Sequence, residues 1–127
     1  MATYRIYLID DDRFLLDMYA VKFRAQGHEV TAFTQGKELL AALKEKPAPD
    51  AMLLDIVMPE LDGFEILAEV RKEKLAESTK VIILSNQGQE SDIERAKELG
   101  AAGYIIKASA IPSEVYAETI SIIEKPV

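Results

Sequence analysis

Short, almost wholly apolar runs alternate along the chain with longer stretches in which apolar residues recur every three or four positions. The short runs predict strands over residues 6–9, 28–33, 51–54, 80–84 and 103–106. In the second, Val30 and Ala32 are expected to face one side and Phe33 the other. The longer stretches predict helices. Residues 13–26 place Leu16, Tyr19 and Phe23 at helical spacing, with Gly27 as the stop. Residues 37 to about 45 carry Leu39, Leu40 and Leu43, and residues 64–74 carry Ile66, Leu67 and Val70. A polar helix is expected over 91–99, ended by Gly100. A last helix opens at Pro112 or Ser113, with Val115, Tyr116, Ile120 and Ile123 as packing positions. Pro47 and Pro49 bracket one loop, and residues 59–63 form another.

Five strands alternating with five helices define an α/β chain. The third and fourth strands, Ala51-Met52-Leu53-Leu54 and Val81-Ile82-Ile83-Leu84, are apolar on both faces, which implies a doubly wound parallel sheet covered on both sides. Right-handed crossovers then leave few topologies. Ligands of such sheets bind beyond the carboxyl ends of the strands. That rule puts Asp10, Asp11, Asp55, Ser85 and Lys107 on one rim, because each follows a strand.

Composition narrows the function classes. A chain of 127 residues that is 49% hydrophobic is expected to form one packed domain over 1–127, with no second domain expected after the ending Glu124-Lys125-Pro126-Val127. With no cysteine, disulfides, thiolate zinc sites and thiol catalysis are excluded. A single histidine, His28, excludes a multi-histidine metal site; it falls in a turn far from the rim and is expected to be exposed. No run reaches the length of a membrane span, and no signal pattern opens the chain, so a cytoplasmic protein without membrane contact is expected. A net charge of -7 argues weakly against non-specific nucleic-acid binding, and no direct nucleic-acid contact is expected. The charged runs at residues 71–74 and 94–98 read as solvated helix faces. Met18, Met52 and Met58 read as core or loop packing.

The rim carries the chemistry. Three consecutive aspartates, Asp10, Asp11 and Asp12, end the first strand, and Asp55 ends the third. Carboxylates a few ångströms apart repel, and each loses hydration on burial, so one should titrate high or the site should stay wet. A hard divalent cation relieves both costs, and Mg²⁺ suits a site with few protein carboxylates and several waters. For Asp12 the expected role is to cap the helix that starts near Arg13 rather than to contact metal. Lys107 and Ser85 would each pass alone for an ordinary surface lysine and turn serine. Their convergence with the carboxylates points to phosphoryl chemistry, in which an aspartate attacks phosphorus and cations offset the developing charge.

These segments resemble the receiver domain of two-component response regulators, the family of the chemotaxis regulator. The resemblance rests on Leu8-Ile9-Asp10-Asp11-Asp12, on residues 49–67 with Leu54-Asp55-Ile56-Val57-Met58-Pro59-Glu60-Leu61-Asp62-Gly63 at their centre, on Val81-Ile82-Ile83-Leu84-Ser85-Asn86, and on residues 100–107. It covers essentially the whole chain, and the middle segment is the most specific. It implies a flavodoxin-like sheet of order 2-1-3-4-5. It also implies Asp55 as phosphoacceptor, Asp10 and Asp11 as Mg²⁺ ligands with the Val57 backbone carbonyl, and Lys107 on the phosphoryl oxygens. Ser85 and Tyr104 match the switch residues. The phosphoryl donor would be a sensor histidine kinase or a histidine phosphotransfer protein, and the output a downstream partner protein met by the face of helix 4, strand 5 and helix 5. Catalysis would extend only to the chain's own phosphorylation and dephosphorylation.

Several positions depart from the family pattern. Ala108 stands where a proline, commonly after a cis peptide, is usual. A cis bond before alanine costs about 2.5–4 kcal/mol, so a trans Lys107–Ala108 peptide is expected, with Lys107 still reaching the site. Val57 and Gln87 border the path of the hydrolytic water, and an apolar Val57 implies slow self-dephosphorylation. Ala101-Ala102-Gly103 lacks the acidic residue that transcription-factor receivers use in a symmetric dimer. Two other readings compete. Asp10-x-Asp12 after an apolar strand resembles the nucleophile motif of haloacid-dehalogenase-type phosphatases, which leaves the Asp55 segment unexplained. A receiver-shaped module that is never phosphorylated is the other.

Overall fold

The computed structural model describes residues 2–58, 60–86 and 88–125. Its elements run β1 (Arg5–Ile9), α1 (Arg13–Ala25), β2 (Glu29–Phe33), α2 (Gly36–Glu45), β3 (Ala51–Leu54) and α3 (Gly63–Lys72). Then come β4 (Lys80–Ser85), α4 (Glu90–Glu98), β5 (Gly103–Ile106), a 3-10 turn at Lys107–Ser109, and α5 (Pro112–Glu124). The strands form one parallel sheet in the order β2-β1-β3-β4-β5, the flavodoxin-like arrangement expected.

Period-two alternation divides the core into two layers. Tyr7, Ile9, Met52, Leu54, Val81 and Ile83 face α2, α3 and α4, where Leu39, Phe64, Ile66, Leu67 and Val70 meet them. Ile6, Leu8, Leu53, Ile82, Leu84 and Ile105 face α1 and α5, where Leu16, Tyr19, Phe23 and Val115 close the layer. Val30 and Phe33 of the edge strand β2 take opposite layers, as their alternation predicts, while Ala32 is exposed.

Helix ends follow local chemistry. Gly27 and Gly100 adopt φ of 92° and 83°, the left-handed region that glycine enters without strain, and both stop helices where the sequence places them. Helix α3 stops at Lys72, short of the expected residue 74, because Lys74 itself turns to φ 55°. Its start carries a capping box: Asp62 Oδ1 accepts from the Glu65 N–H (2.8 Å), and Glu65 Oε1 accepts from the Asp62 N–H (3.0 Å).

Three expectations need correction. His28 is buried rather than exposed, because its ring is the hub of hydrogen bonds joining Tyr4 and Tyr116. The charged runs on α3 and α4 are not simply solvated: the Arg71 guanidinium donates to the carbonyls of Leu99 (2.9 Å) and Gly100 (3.0 Å), which would otherwise end α4 unpaired, and Arg95 lies over the Phe64 ring. On α5, Thr119 is fully buried where the pattern pointed to Ile120. Its hydroxyl donates to the Val115 carbonyl (2.8 Å), so burial leaves no polar atom unpaired. Among the described residues no helix is long and apolar enough to cross a membrane.

Candidate functional site

Strands β1 and β3 are neighbours, with Ile9 opposite Leu54, so the residues that follow them emerge side by side. Backbone bonds hold the two exits: the Asp10 N–H donates to the Phe33 carbonyl (3.3 Å) and the Asp55 N–H to the Ile9 carbonyl (3.1 Å). Asp10 and Asp55 are only 3% and 5% exposed, whereas Asp11 is exposed. Carboxylate oxygens of all three nonetheless lie within 4.8 Å of one another. Lys107, delivered by the end of β5, reaches across the rim. Its Nζ stands 2.5 Å from Asp10 Oδ2 and 3.4 Å from Asp55 Oδ1. The Lys107–Ala108 peptide is trans, as expected.

Asp10 is held on both oxygens, since Oδ1 accepts the Asp12 N–H (2.9 Å). Asp12 caps α1, with Oδ1 accepting from the Leu15 N–H (3.2 Å), which bears out the reading of that residue. A cavity of about 330 Å³ opens above the carboxylates, lined by Asp10, Asp11, Asp12, Leu15, Asp55, Val57, Ser85, Asn86 and Lys107. The rim residues singled out from sequence therefore converge on one space. Tyr104 stands one step behind it, packed on the layer covered by α2, α3 and α4, with the Ser85 side chain close enough to act on its phenol. Gln87 and Pro59 lie outside the described residues.

The electrostatics are unbalanced. Burial, then the charge of Asp10, push the Asp55 carboxyl up to about 7 against the opposing pull of Lys107. A raised carboxyl is one of the two outcomes expected of the cluster. Burial alone would lower Lys107, but its bonds and charge attraction to Asp10 and Asp55 outweigh this and hold it above the usual lysine range. For Tyr104, burial dominates and raises the phenol, the charge of Asp92 adds to the rise, and the Ser85 bond opposes it. When all are ionised, three carboxylates face one ammonium, an excess of two negative charges. The donors are hard oxygens around an open, hydratable space, so the residues fit a divalent cation such as Mg²⁺.

One positioning residue went unnoticed in the sequence. A Cβ on Gly63 would lie 2.3 Å from the Asp55 carbonyl oxygen, closer than real contacts allow. The Gly63 N–H donates to the Ile56 carbonyl (3.0 Å), so the loop after β3 folds back against the backbone of Asp55. The signal was present: Asp62-Gly63-Phe64-Glu65 spells a capping box with glycine inside it.

A doubly wound sheet with paired aspartates, a third carboxylate and a lysine at one rim defines a receiver-type domain. The chain belongs to the response regulator receiver domain family, whose profile matches residues 6–116. Over 102 residues it is 35% identical to response regulator SaeR of Staphylococcus aureus strain USA300; the match covers 80% of this chain and 43% of that protein. The chain thus spans less than half the length of the curated relatives it matches. Among solved structures it is similar to the phosphorylated cyanobacterial phytochrome response regulator RcpA, with 28% identity, a TM-score of 0.80, and 94% and 92% of the two chains covered. Chemotaxis protein CheY4 of Vibrio cholerae shares the fold at 23% identity and a TM-score of 0.87, with 95% and 99% covered. The phosphatase reading is not favoured: the family match takes in the Asp55 segment, and Asp12 is engaged as a cap.

Proposed function

We propose that this chain is a phospho-accepting switch of two-component signalling, a single receiver unit over 1–127 acting in the cytoplasm. The observation that carries the reading is the buried Asp55 carboxylate facing a roomy cavity, with the Lys107 ammonium 3.4 Å away and the Asp10 and Asp11 carboxylates within 4.8 Å. Asp10, Asp11 and Asp55 would hold Mg²⁺ with the Val57 carbonyl. The ion, when bound, supplies positive charge that offsets the carboxylates and the phosphoryl oxygens.

An oxygen of the Asp55 carboxylate attacks the phosphorus of a phosphohistidine on a sensor histidine kinase or phosphotransfer protein. The new P–O bond replaces the P–N bond, and the imidazole leaves with the bonding pair and takes up a proton. Lys107 is placed to shift its contact from the carboxylate toward the phosphoryl oxygens. Water later cleaves the acyl phosphate, which regenerates the carboxylate and releases inorganic phosphate. Val57 offers that water no hydrogen bond from its side chain, so we expect slow turnover of the phosphoryl group; a half-life of seconds would overturn this point.

Ser85 lines the cavity and Tyr104 lies on β5, so the pair would link the cavity to the face of α4, β5 and α5. Phosphorylation would draw Ser85 inward and shift that face between two populations, which a downstream partner protein reads. Direct contact with nucleic acid is not part of this reading, and the chain acts on no substrate other than its own aspartate. The test is Mg²⁺-dependent labelling with acetyl phosphate or binding of beryllofluoride, compared between the parent and Asp55→Asn. Label on Asp55 supports the switch; label on Asp10 would instead restore the phosphatase alternative; no label on either leaves only the non-phosphorylated module.

A further inference from the structure

A second buried titratable group lies at the opposite end of the sheet and has no part in the phosphoryl chemistry. His28, in the turn between α1 and β2, is 8% exposed. Its Nδ1 lies 3.1 Å from the backbone nitrogen of Tyr4, and its Nε2 lies 2.9 Å from the Tyr116 hydroxyl. A backbone amide can only donate. Nδ1 must therefore be bare, and the hydrogen of the neutral ring sits on Nε2, pointing at the Tyr116 oxygen. The Tyr4 ring stacks on the imidazole (centroids 5.4 Å apart), Tyr116 leans on it at 5.6 Å, and Phe23 of α1 meets Tyr116 edge-on. The Tyr4 hydroxyl donates in turn to Glu124 near the end of α5 (2.6 Å). The imidazole thus joins the residue before β1 to Tyr116 of α5, and Tyr4 itself adds a second tie at Glu124.

We propose that His28 is a proton-operated latch on α5: the neutral ring ties Tyr4 to Tyr116, and protonation unties them. The cationic ring carries a hydrogen on each nitrogen. Two N–H groups would then face each other across the 3.1 Å between Nδ1 and the Tyr4 nitrogen, and that contact cannot persist. The ring turns away, or the segment before β1 lifts from it. Either movement loosens the stacked Tyr4, and with it the tie to Glu124.

The charged side chains on the elements around the latch have partners of their own. On α5, Glu124 is engaged by the Tyr4 hydroxyl. At the start of β1, Arg5 pairs with Glu29 of β2 (3.4 Å), and its N–H donates to Asp50 in the loop before β3 (2.8 Å). On α1, Arg24 donates to the Val30 carbonyl (3.0 Å). The titratable side chains that touch the ring itself are the phenols of Tyr4 and Tyr116. The latch works without Asp55. Its consequence is that α5, part of the face assigned above to output, responds to protonation of His28.

Because the chain holds one histidine, its ring signals are unambiguous. The test follows the two ring nitrogens by nuclear magnetic resonance from about pH 8 to 5, together with hydrogen exchange at the Tyr4 amide and the resonances of Tyr116 and Glu124. At neutral pH the hydrogen is expected on Nε2. As the ring gains its second proton, Tyr4 protection, corrected for intrinsic exchange, should fall about tenfold, the loss of one hydrogen bond. The α5 signals should move with the same midpoint. His28→Gln offers a carbonyl and an amide to the same partners without titrating. It should abolish that transition and leave any change arising at the Asp55 pocket. Protonation of His28 with Tyr4 protection unchanged, a neutral ring carrying its hydrogen on Nδ1, or an unaltered transition in His28→Gln would each overturn the proposal. Should His28→Gln fail to fold, the first two readouts on the native chain decide it.

Discussion

The two ends of the parallel sheet bury polar groups of different kinds. At the carboxyl end, Asp10, Asp55 and Lys107 are buried ions beneath an open cavity. At the amino end, Thr79 donates to the Pro49 carbonyl (2.7 Å), and His28 bridges a backbone amide and a phenol. Hydrogen-bond completeness does not separate them, since among the described residues no buried side-chain nitrogen or oxygen lacks a partner. Charge does. Neutral pairs are finished once bonded, whereas a cluster with surplus negative charge is relieved only by something from outside the chain. The end with the less favourable electrostatics is the end that has a use for a ligand.

The sharpest way to break this contrast is Asp55→Asn, which should abolish phosphoryl labelling entirely while the fold survives, read by labelling alongside circular dichroism. Next comes Lys107→Met. It leaves two buried carboxylates without their ammonium and should destabilise the metal-free protein by about 3–5 kcal/mol, since breaking a buried pair strands its partner. Chemical denaturation with and without Mg²⁺ checks this, with much of the loss recovered when the ion is present. A loss of under about 1 kcal/mol would mean the cluster behaves as a solvated surface pair.

The pH response should differ in sign between the ends. The native carboxyl of Asp55 titrates near 7, against 3.8 for the ordinary group. Between those values the folded state holds a proton that the unfolded chain releases. This contribution is therefore fully present below 3.8 and is lost as pH rises through 7. Since Mg²⁺ needs the ionised form, its affinity should weaken about tenfold per pH unit below that point, measured by titration calorimetry; an affinity independent of pH would show that Asp55 is already ionised. The His28 latch loosens in the other direction, as pH falls. The smallest effect belongs to the amino end: Thr79→Val should cost about 1 kcal/mol, the net value of one neutral hydrogen bond, with no change in Mg²⁺ affinity.

Much of this contrast was legible in the sequence at the carboxyl end and little of it at the amino end. Asp10, Asp11, Asp55, Ser85 and Lys107 each follow an apolar run, and in a parallel sheet that position alone sends them to one rim. Asp12 stood before a helix with the chemistry of a cap, and it caps. Gly63 was readable through its capping box but passed for an ordinary turn glycine, because its close approach is to backbone that the linear order does not reveal. His28 was misjudged for the same reason. Its partners Tyr4 and Tyr116 lie 24 and 88 residues away, and no local pattern joins them.

The sequence by itself determined the alternation of strands and helices, the two-layered core, the rim on which the carboxylates gather, and the family to which they belong. Those follow from periodicity and from residues adjacent to strand ends, which are properties of neighbours along the chain. Only the tertiary structure decided that Lys107 bonds to Asp10 more closely than to Asp55, that Arg71 of α3 closes the end of α4, and that a turn histidine is a buried hub. These depend on which distant side chains meet at hydrogen-bonding distance. That is set by how the two helical layers pack on the sheet, not by the order of the residues.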